Sequence, residues 1–164
     1  MDFNSEFNRK LLQLYILLMD EKEITYESFN EYEKLDRSMF SRLMHEYQMM
    51  IIKLKLKCTL IKEKIGNEDN ETLFPKNIYY QTFITEDYSF SIDELTDDEK
   101  ARYIFVIFYL MLRNDRYISP KKFQQYLNIK MSETSYKRFI DSFKELIGID
   151  IYKNKYSSYV LERD

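Results

Sequence analysis

Two stretches of this chain place hydroxyl and cationic side chains at helical spacing. The first holds Arg37, Ser38, Ser41 and Arg42, and the second holds Ser132, Ser135, Lys137 and Arg138. Residues of these types along one helix face can donate hydrogen bonds to base edges and phosphate oxygens in a DNA major groove. Reactive side chains are scarce by comparison. His45 is the sole histidine and Cys58 the sole cysteine, so one chain cannot assemble a zinc site of the usual nitrogen and sulfur type. His45 reads as a polar residue on a helix, and Cys58, in an alternating apolar strand, as buried and inert. Gly66 and Gly148 stand alone, which rules out a glycine-rich phosphate loop. The acids Asp93, Glu94, Asp97, Asp98 and Glu99 precede an apolar run and fit a helix start favoured by the dipole, not paired catalytic carboxylates. The expectation is a protein that is not an enzyme and uses no cofactor or metal.

The elements that must hold these residues follow from composition and periodicity. The 164 residues, 45% hydrophobic with 15 Tyr and 12 Phe, are enough for two small domains with aromatic cores. Only two Gly and two Pro occur, which favours helices over a turn-rich β-sandwich. The longest apolar run, Tyr103 to Leu112, is too short to span a bilayer and reads as a buried helix. The start Met1 to Glu6 lacks a basic stretch followed by an apolar run, so no signal peptide is expected. With a single cysteine, the natural setting is a reducing one, and a cytoplasmic location is expected.

The net charge of −3 is unevenly spread. Residues 1–65 are neutral overall, residues 66–100 carry −8, residues 101–115 carry +1 and residues 116–164 carry +4. The acid sits in the middle of the chain and the C-terminal third is basic. Arguments about partners therefore belong to local segments and not to the total.

The two halves repeat. Displaced by 94 positions, Leu11, Leu14, Tyr15 and Leu18 fall on Phe105, Phe108, Tyr109 and Leu112, the spacing of one amphipathic helix face. The same displacement sets Ile24-Thr25 on Ile118-Ser119, each a β-branched residue before a helix-capping hydroxyl, and sets Phe29 and Tyr32 on Phe123 and Tyr126. Pro120 then occupies the favoured first helical position. Beyond this point the displacement becomes 96: Phe40, Arg42, Leu43 and Tyr47 fall on Tyr136, Arg138, Phe139 and Phe143. The two extra residues are expected in the turn between the second and third helices of the later copy.

A β-prone stretch follows each third helix. Leu54 to Lys64 and Ile78 to Thr85 serve the first copy, joined by a loop whose tip is expected over 66–72. Ile149 to Tyr152 and Tyr159 to Leu161 serve the second. Helix, strand, helix, helix, hairpin is the order of a winged helix. The expected fold is mainly α with small β-hairpins, an α+β chain of two tandem winged helix-turn-helix domains over residues 1–88 and 89–164.

Ser132-Glu133-Thr134-Ser135-Tyr136-Lys137-Arg138-Phe139-Ile140 and Tyr159-Val160-Leu161-Glu162-Arg163 resemble the recognition helix and wing end of the DeoR-type winged helix. That domain is found at the N-terminus of WYL-domain transcription regulators. Asp36-Arg37-Ser38-Met39-Phe40-Ser41-Arg42-Leu43 is a looser version. The Asp that commonly follows the Arg is here Leu43 or Phe139, and Asp36 stands for the hydroxyl cap. The resemblance implies a DNA-reading fold and covers the DNA-binding module without the sensory one.

The expected contacts with double-stranded DNA are Arg37, Ser38, Ser41 and Arg42 in the first copy. In the second they are Lys121, Lys122, Lys130, Ser132, Ser135, Lys137 and Arg138, with Lys153 and Lys155 at the wing tip. Lys121 and Lys122 stand where free helix N–H groups and positive charge together hold a phosphate. Lys53, Lys55 and Lys57 are expected on one face of a strand. Glu27, Glu31 and Glu33 oppose phosphate near the first copy, and Arg42 lies one helical turn before Glu46, with which it can pair. A homodimer is expected, joined through the long first helices of each copy. The function expected is sequence-directed DNA binding by a transcriptional regulator. The alternatives are a winged-helix protein-interaction adaptor or a plasmid or phage replication initiator.

Overall fold

A computed structural model describes residues 3–20, 23–64, 78–86, 88–115, 118–147, 151–153 and 159–161. The first helix, α1 (Glu6–Met19), begins where the Ser5 hydroxyl accepts from the Asn8 N–H, and Leu11, Leu14, Tyr15 and Leu18 form its buried stripe. Strand β1 (Ile24–Thr25) follows, then α2 (Tyr26–Tyr32) and α3 (Arg37–Lys53). Thr25 caps α2 through a reciprocal bond with Ser28, and Asp36 caps α3 through the Met39 N–H. Strands β2 (Lys57–Lys64) and β3 (Ile78–Glu86) pair antiparallel, with Cys58 opposite Ile84 and Lys64 opposite Ile78. Strand β1 joins the far edge of β3, Ile24 opposite Tyr80, so the sheet order is β1-β3-β2.

The second half repeats this order. A short helix α4 (Asp97–Arg102) leads into α5 (Ile104–Asp115), and an isolated bridge at Ile118 stands where β1 stands in the first half. Helices α6 (Pro120–Leu127) and α7 (Glu133–Ile147) then precede β4 (Ile151–Lys153) and β5 (Tyr159–Leu161), an antiparallel pair with Ile151 opposite Leu161. Ser119 caps α6 as Thr25 caps α2, and Pro120 takes the first helical turn. The chain is therefore mainly helical with small antiparallel sheets, an α+β architecture. The two extra residues of the later copy are divided between helix and turn. One lengthens α6, and the other enters the turn, where Asn128 closes the helix in the left-handed region at φ 55°.

One hydrophobic cluster contains buried residues of both halves. Helix α1 packs against α3, β3, α5 and α7, and the buried Asn8 amide donates to the Ala101 carbonyl at 3.0 Å. Every residue from Tyr103 to Leu112 is buried, so α5 is enclosed on all sides. This corrects the expected dimer interface, because α5 and the apolar stripe of α1 are consumed inside the chain itself. No helix among the described residues is long and apolar enough to cross a membrane.

One further expectation needs revision. Lys53 ends α3 and Lys55 turns the chain at φ 54°, so neither shares a strand face with Lys57, the first residue of β2. The helix ends there because Leu56 N–H bonds back to Ile51 and Lys55 N–H to Ile52, the pattern of a left-handed helix cap. Asp97, Asp98 and Glu99 form the expected charged helix start, in a short helix of their own, α4, which Thr96 caps reciprocally with Glu99. The expected loop tip over 66–72 lies outside the described residues.

Candidate nucleic-acid interface

Helix α7 is divided cleanly between its two faces. Tyr136, Phe139, Ile140 and Phe143 are buried, and their 3–4 residue spacing keeps them on one side. The fold then has no choice but to present Ser135, Lys137, Arg138 and Asp141 to solvent, and all four are exposed. Ser132 caps the helix by accepting the Ser135 N–H at 3.1 Å, and its hydroxyl donates to the Ser135 hydroxyl at 3.0 Å. These two serines are thus occupied in starting the helix. Lys137 and Arg138 form no ion pair among the described residues. Glu133, Asp141 and Glu145 share the outer surface with them, so the face is mixed and not uniformly positive.

Helix α6 and the turn before α7 enclose a groove of their own. Lys130 and Lys121 line this groove of about 700 Å³ with Gln124, Gln125, Asn128 and Ile129. Gln124 holds the groove floor by accepting the Met131 N–H at 2.8 Å. Lys122 faces elsewhere, onto a cleft with Phe90, Met111 and Tyr126. The Lys122 N–H is taken by the Ser119 hydroxyl at 3.1 Å, so at that position the side chain, and not the backbone, is free for an anion. Lys153 lies on β4, its side chain outside the described part, and Lys155 falls outside the described residues.

In the first copy, α3 exposes Arg37, Ser38, Ser41, Arg42 and His45 and buries Phe40, Leu43, Met44 and Tyr47. Arg37 is held within the protein. Its guanidinium donates to Glu27 at 2.8 Å and covers the Tyr26 ring at 4.5 Å, tying α3 to α2. Arg42 instead lies 5.7 Å from the Phe7 ring, on a cleft with Ser41, His45, Glu46 and Arg102. The spacing of Arg42 and Glu46 does not produce the pair that the sequence allows. Glu46 accepts from Arg102 at 3.0 Å and from the Tyr103 hydroxyl at 3.0 Å, across the junction of α4 and α5. Burial, reinforced by this carboxylate, pushes the Tyr103 hydroxyl well above the ordinary tyrosine range.

The acid of the middle segment has a definite address. Glu99 lies 3.8 Å from Lys53 and Glu94 lies 3.2 Å from Lys55. Glu33 and Glu6 both reach Lys10, which is buried. Two of the lysines expected along the first wing are therefore matched by carboxylates. Glu6 and Lys10 are one helical turn apart, but sequence spacing gives no hint of the other three pairs, which join elements far apart in the chain. Burial pushes the Cys58 thiol up, which favours its neutral form. Among the described residues no three His, Cys, Asp or Glu side chains gather closely enough to hold a metal ion. No family model matches the chain, and no curated protein or solved structure is significantly similar to it.

Proposed function

We propose that the chain consists of two tandem winged helices and binds double-stranded DNA in a sequence-directed way, as a cytoplasmic, non-enzymatic transcriptional regulator. The observation that carries this reading is the outer face of α7. Exposed Lys137 and Arg138, which form no ion pair among the described residues, stand on the helix that follows a groove edged by Lys121 and Lys130. A helix fixed by four buried apolar side chains and presenting cations to solvent suits entry into a major groove. The element order and the β1-β3-β2 sheet support the winged-helix reading of the first copy. In this reading α7 is the principal reader, Lys121, Lys122 and Lys130 position the phosphate backbone, and α3 contributes less.

A protein-interaction adaptor is the second reading, and the first copy favours it. There Arg37 is locked to Glu27, and Lys53 and Lys55 are matched by Glu99 and Glu94. Titration of labelled genomic duplex fragments at low and moderate salt separates the two. DNA binding requires an affinity that falls steeply as salt rises. No salt-dependent binding to any duplex would replace the regulator with the adaptor. A homodimer on a two-fold DNA site belongs to the regulator reading, with light scattering in the presence of DNA as its check.

A further inference from the structure

The first copy holds a cleft whose lining the second copy repeats only at Arg42, which falls on Arg138. It has a volume of about 430 Å³, within the range of small-molecule sites, and its walls come from α1, α3 and α4. Two buried or half-buried ties fix those walls. Asn8 binds the Ala101 carbonyl and so holds α1 to α4, and Glu46 binds Arg102 and Tyr103 and so holds α3 to α4 and α5. Into this frame project Ser41, Arg42 and His45 from α3 and Arg102 from α4. Among the described residues, the side chains of Ser41, Arg42 and His45 have no hydrogen bond or ion pair, and Glu46 is the one carboxylate in the lining. Glu46 offsets Arg102, which leaves Arg42 as uncompensated positive charge with a hydroxyl and an imidazole beside it. At the corresponding positions of the second copy, Ser41, His45 and Glu46 become Lys137, Asp141 and Ser142, and Phe7 becomes Ala101. The cleft is thus particular to one half and is not a consequence of the shared fold.

We propose that this cleft binds a small molecule through a phosphate group. Arg42 and Arg102 offer forked N–H donors from opposite walls, Ser41 and His45 supply further donors, and the Phe7 ring is an apolar wall for the organic part of the ligand. The proposal stands apart from DNA binding, since phosphate can bind here whether or not any duplex binds α7. The same chemistry exists in a duplex backbone, so the experiment has two arms.

Inorganic phosphate is titrated into the full chain by calorimetry, with chloride at equal ionic strength as reference, and a genomic duplex is titrated separately. The expected result is saturable phosphate binding that raises the thermal midpoint. Arg42→Gln and His45→Ala should each weaken it by about tenfold, the scale of a lost charge-assisted hydrogen bond. Lys34→Gln, an exposed change away from the cleft, should bind as the parent does. Arg42 and His45 are exposed, so their variants should keep the parent thermal midpoint without ligand. A response that never saturates, that chloride reproduces, or that survives undiminished in both cleft variants overturns the proposal. So does a cleft whose variants weaken duplex binding while the parent ignores inorganic phosphate, which would assign these side chains to the DNA backbone.

Discussion

Phe29 and Phe123, 94 positions apart, occupy the same fourth place in α2 and α6, and both are fully buried. Each follows a hydroxyl cap, Thr25 or Ser119, that starts its helix. Each also meets the aromatic residue at the matching position of the next helix: Phe29 lies 5.9 Å from Phe40, and Phe123 lies 6.4 Å from Tyr136. Capping sets the phase of the helix, the phase decides which ring points inward, and the ring sets how the third helix packs. A repeat written in sequence thereby becomes a repeat in packing.

Removing one ring from the second copy should therefore be felt across the chain. Phe108 meets Phe123, Phe139 and Phe143 at 5.0, 5.2 and 4.8 Å on the central helix α5. Phe108→Ala should cost about 3–5 kcal/mol, the usual range for an aromatic lost from a core. Because one cluster holds the buried residues of both halves, heat should unfold parent and variant each in one cooperative step. Calorimetry showing two separate transitions, with only the later half weakened, would contradict that coupling.

The end of α3 offers a stabilising change. Lys55 adopts φ 54°, a region where a Cβ crowds the backbone. Lys55→Gly should raise stability by about 0.5–1 kcal/mol, since relief of that crowding outweighs the greater freedom of glycine in the unfolded chain. The Glu94 partner is half exposed and its loss should cost little. Urea midpoints of the two proteins decide the matter, and a variant weaker than the parent would show that the ion pair dominates.

Much of the architecture was legible in advance because it rests on local rules. Caps at Thr25 and Ser119 and buried stripes at 3–4 spacing depend on neighbours in sequence, and they appear where expected. What escaped depends on residues that meet only after folding. Arg42 was readable as a surface cation, but its cleft needs Phe7 and Arg102, which are remote in sequence. Glu46 chose Arg102 and Tyr103 over Arg42 because α4 brings a guanidinium and a phenol to it together. The strand expected from Lys53 starts later because a left-handed residue was not foreseeable at a lysine.

Acid should weaken the fold through identifiable carboxylates. Glu99 is held below its ordinary value of 4.5 chiefly by hydrogen bonding with the Thr96 backbone, and Glu6 by its bond to Lys10. A carboxyl whose folded pKa is lowered contributes stability that is fully present above the unfolded value and is lost as pH falls through the folded one. Stability should therefore be level above pH 4.5 on account of these two groups and decline below it. Glu99→Gln should flatten part of that decline. An unchanged acid limb in urea titrations of the variant would remove Glu99 from the explanation.

The contrast between α7 and α3 gives the sharpest test of DNA reading. Lys137 and Arg138 are exposed and form no ion pair among the described residues, so replacing both by Ala should leave stability within about 0.5 kcal/mol of the parent. If both meet phosphates or bases, duplex affinity should fall, and the slope of log affinity against log salt should shrink by about one unit per lost phosphate contact. Arg37→Ala should behave in the opposite way. It breaks the bond to Glu27 and the contact with Tyr26 and changes duplex binding little. Ser132→Ala supplies the remaining comparison, because it removes the cap of α7 at a cost of about 1 kcal/mol while leaving both cations in the chain. Affinity lost in that variant to the same degree as in the double variant would show that helix order, and not the two cations, governs binding. Affinity lost only with Lys137 and Arg138, together with a shallower salt slope, would place the outer face of α7 on the DNA.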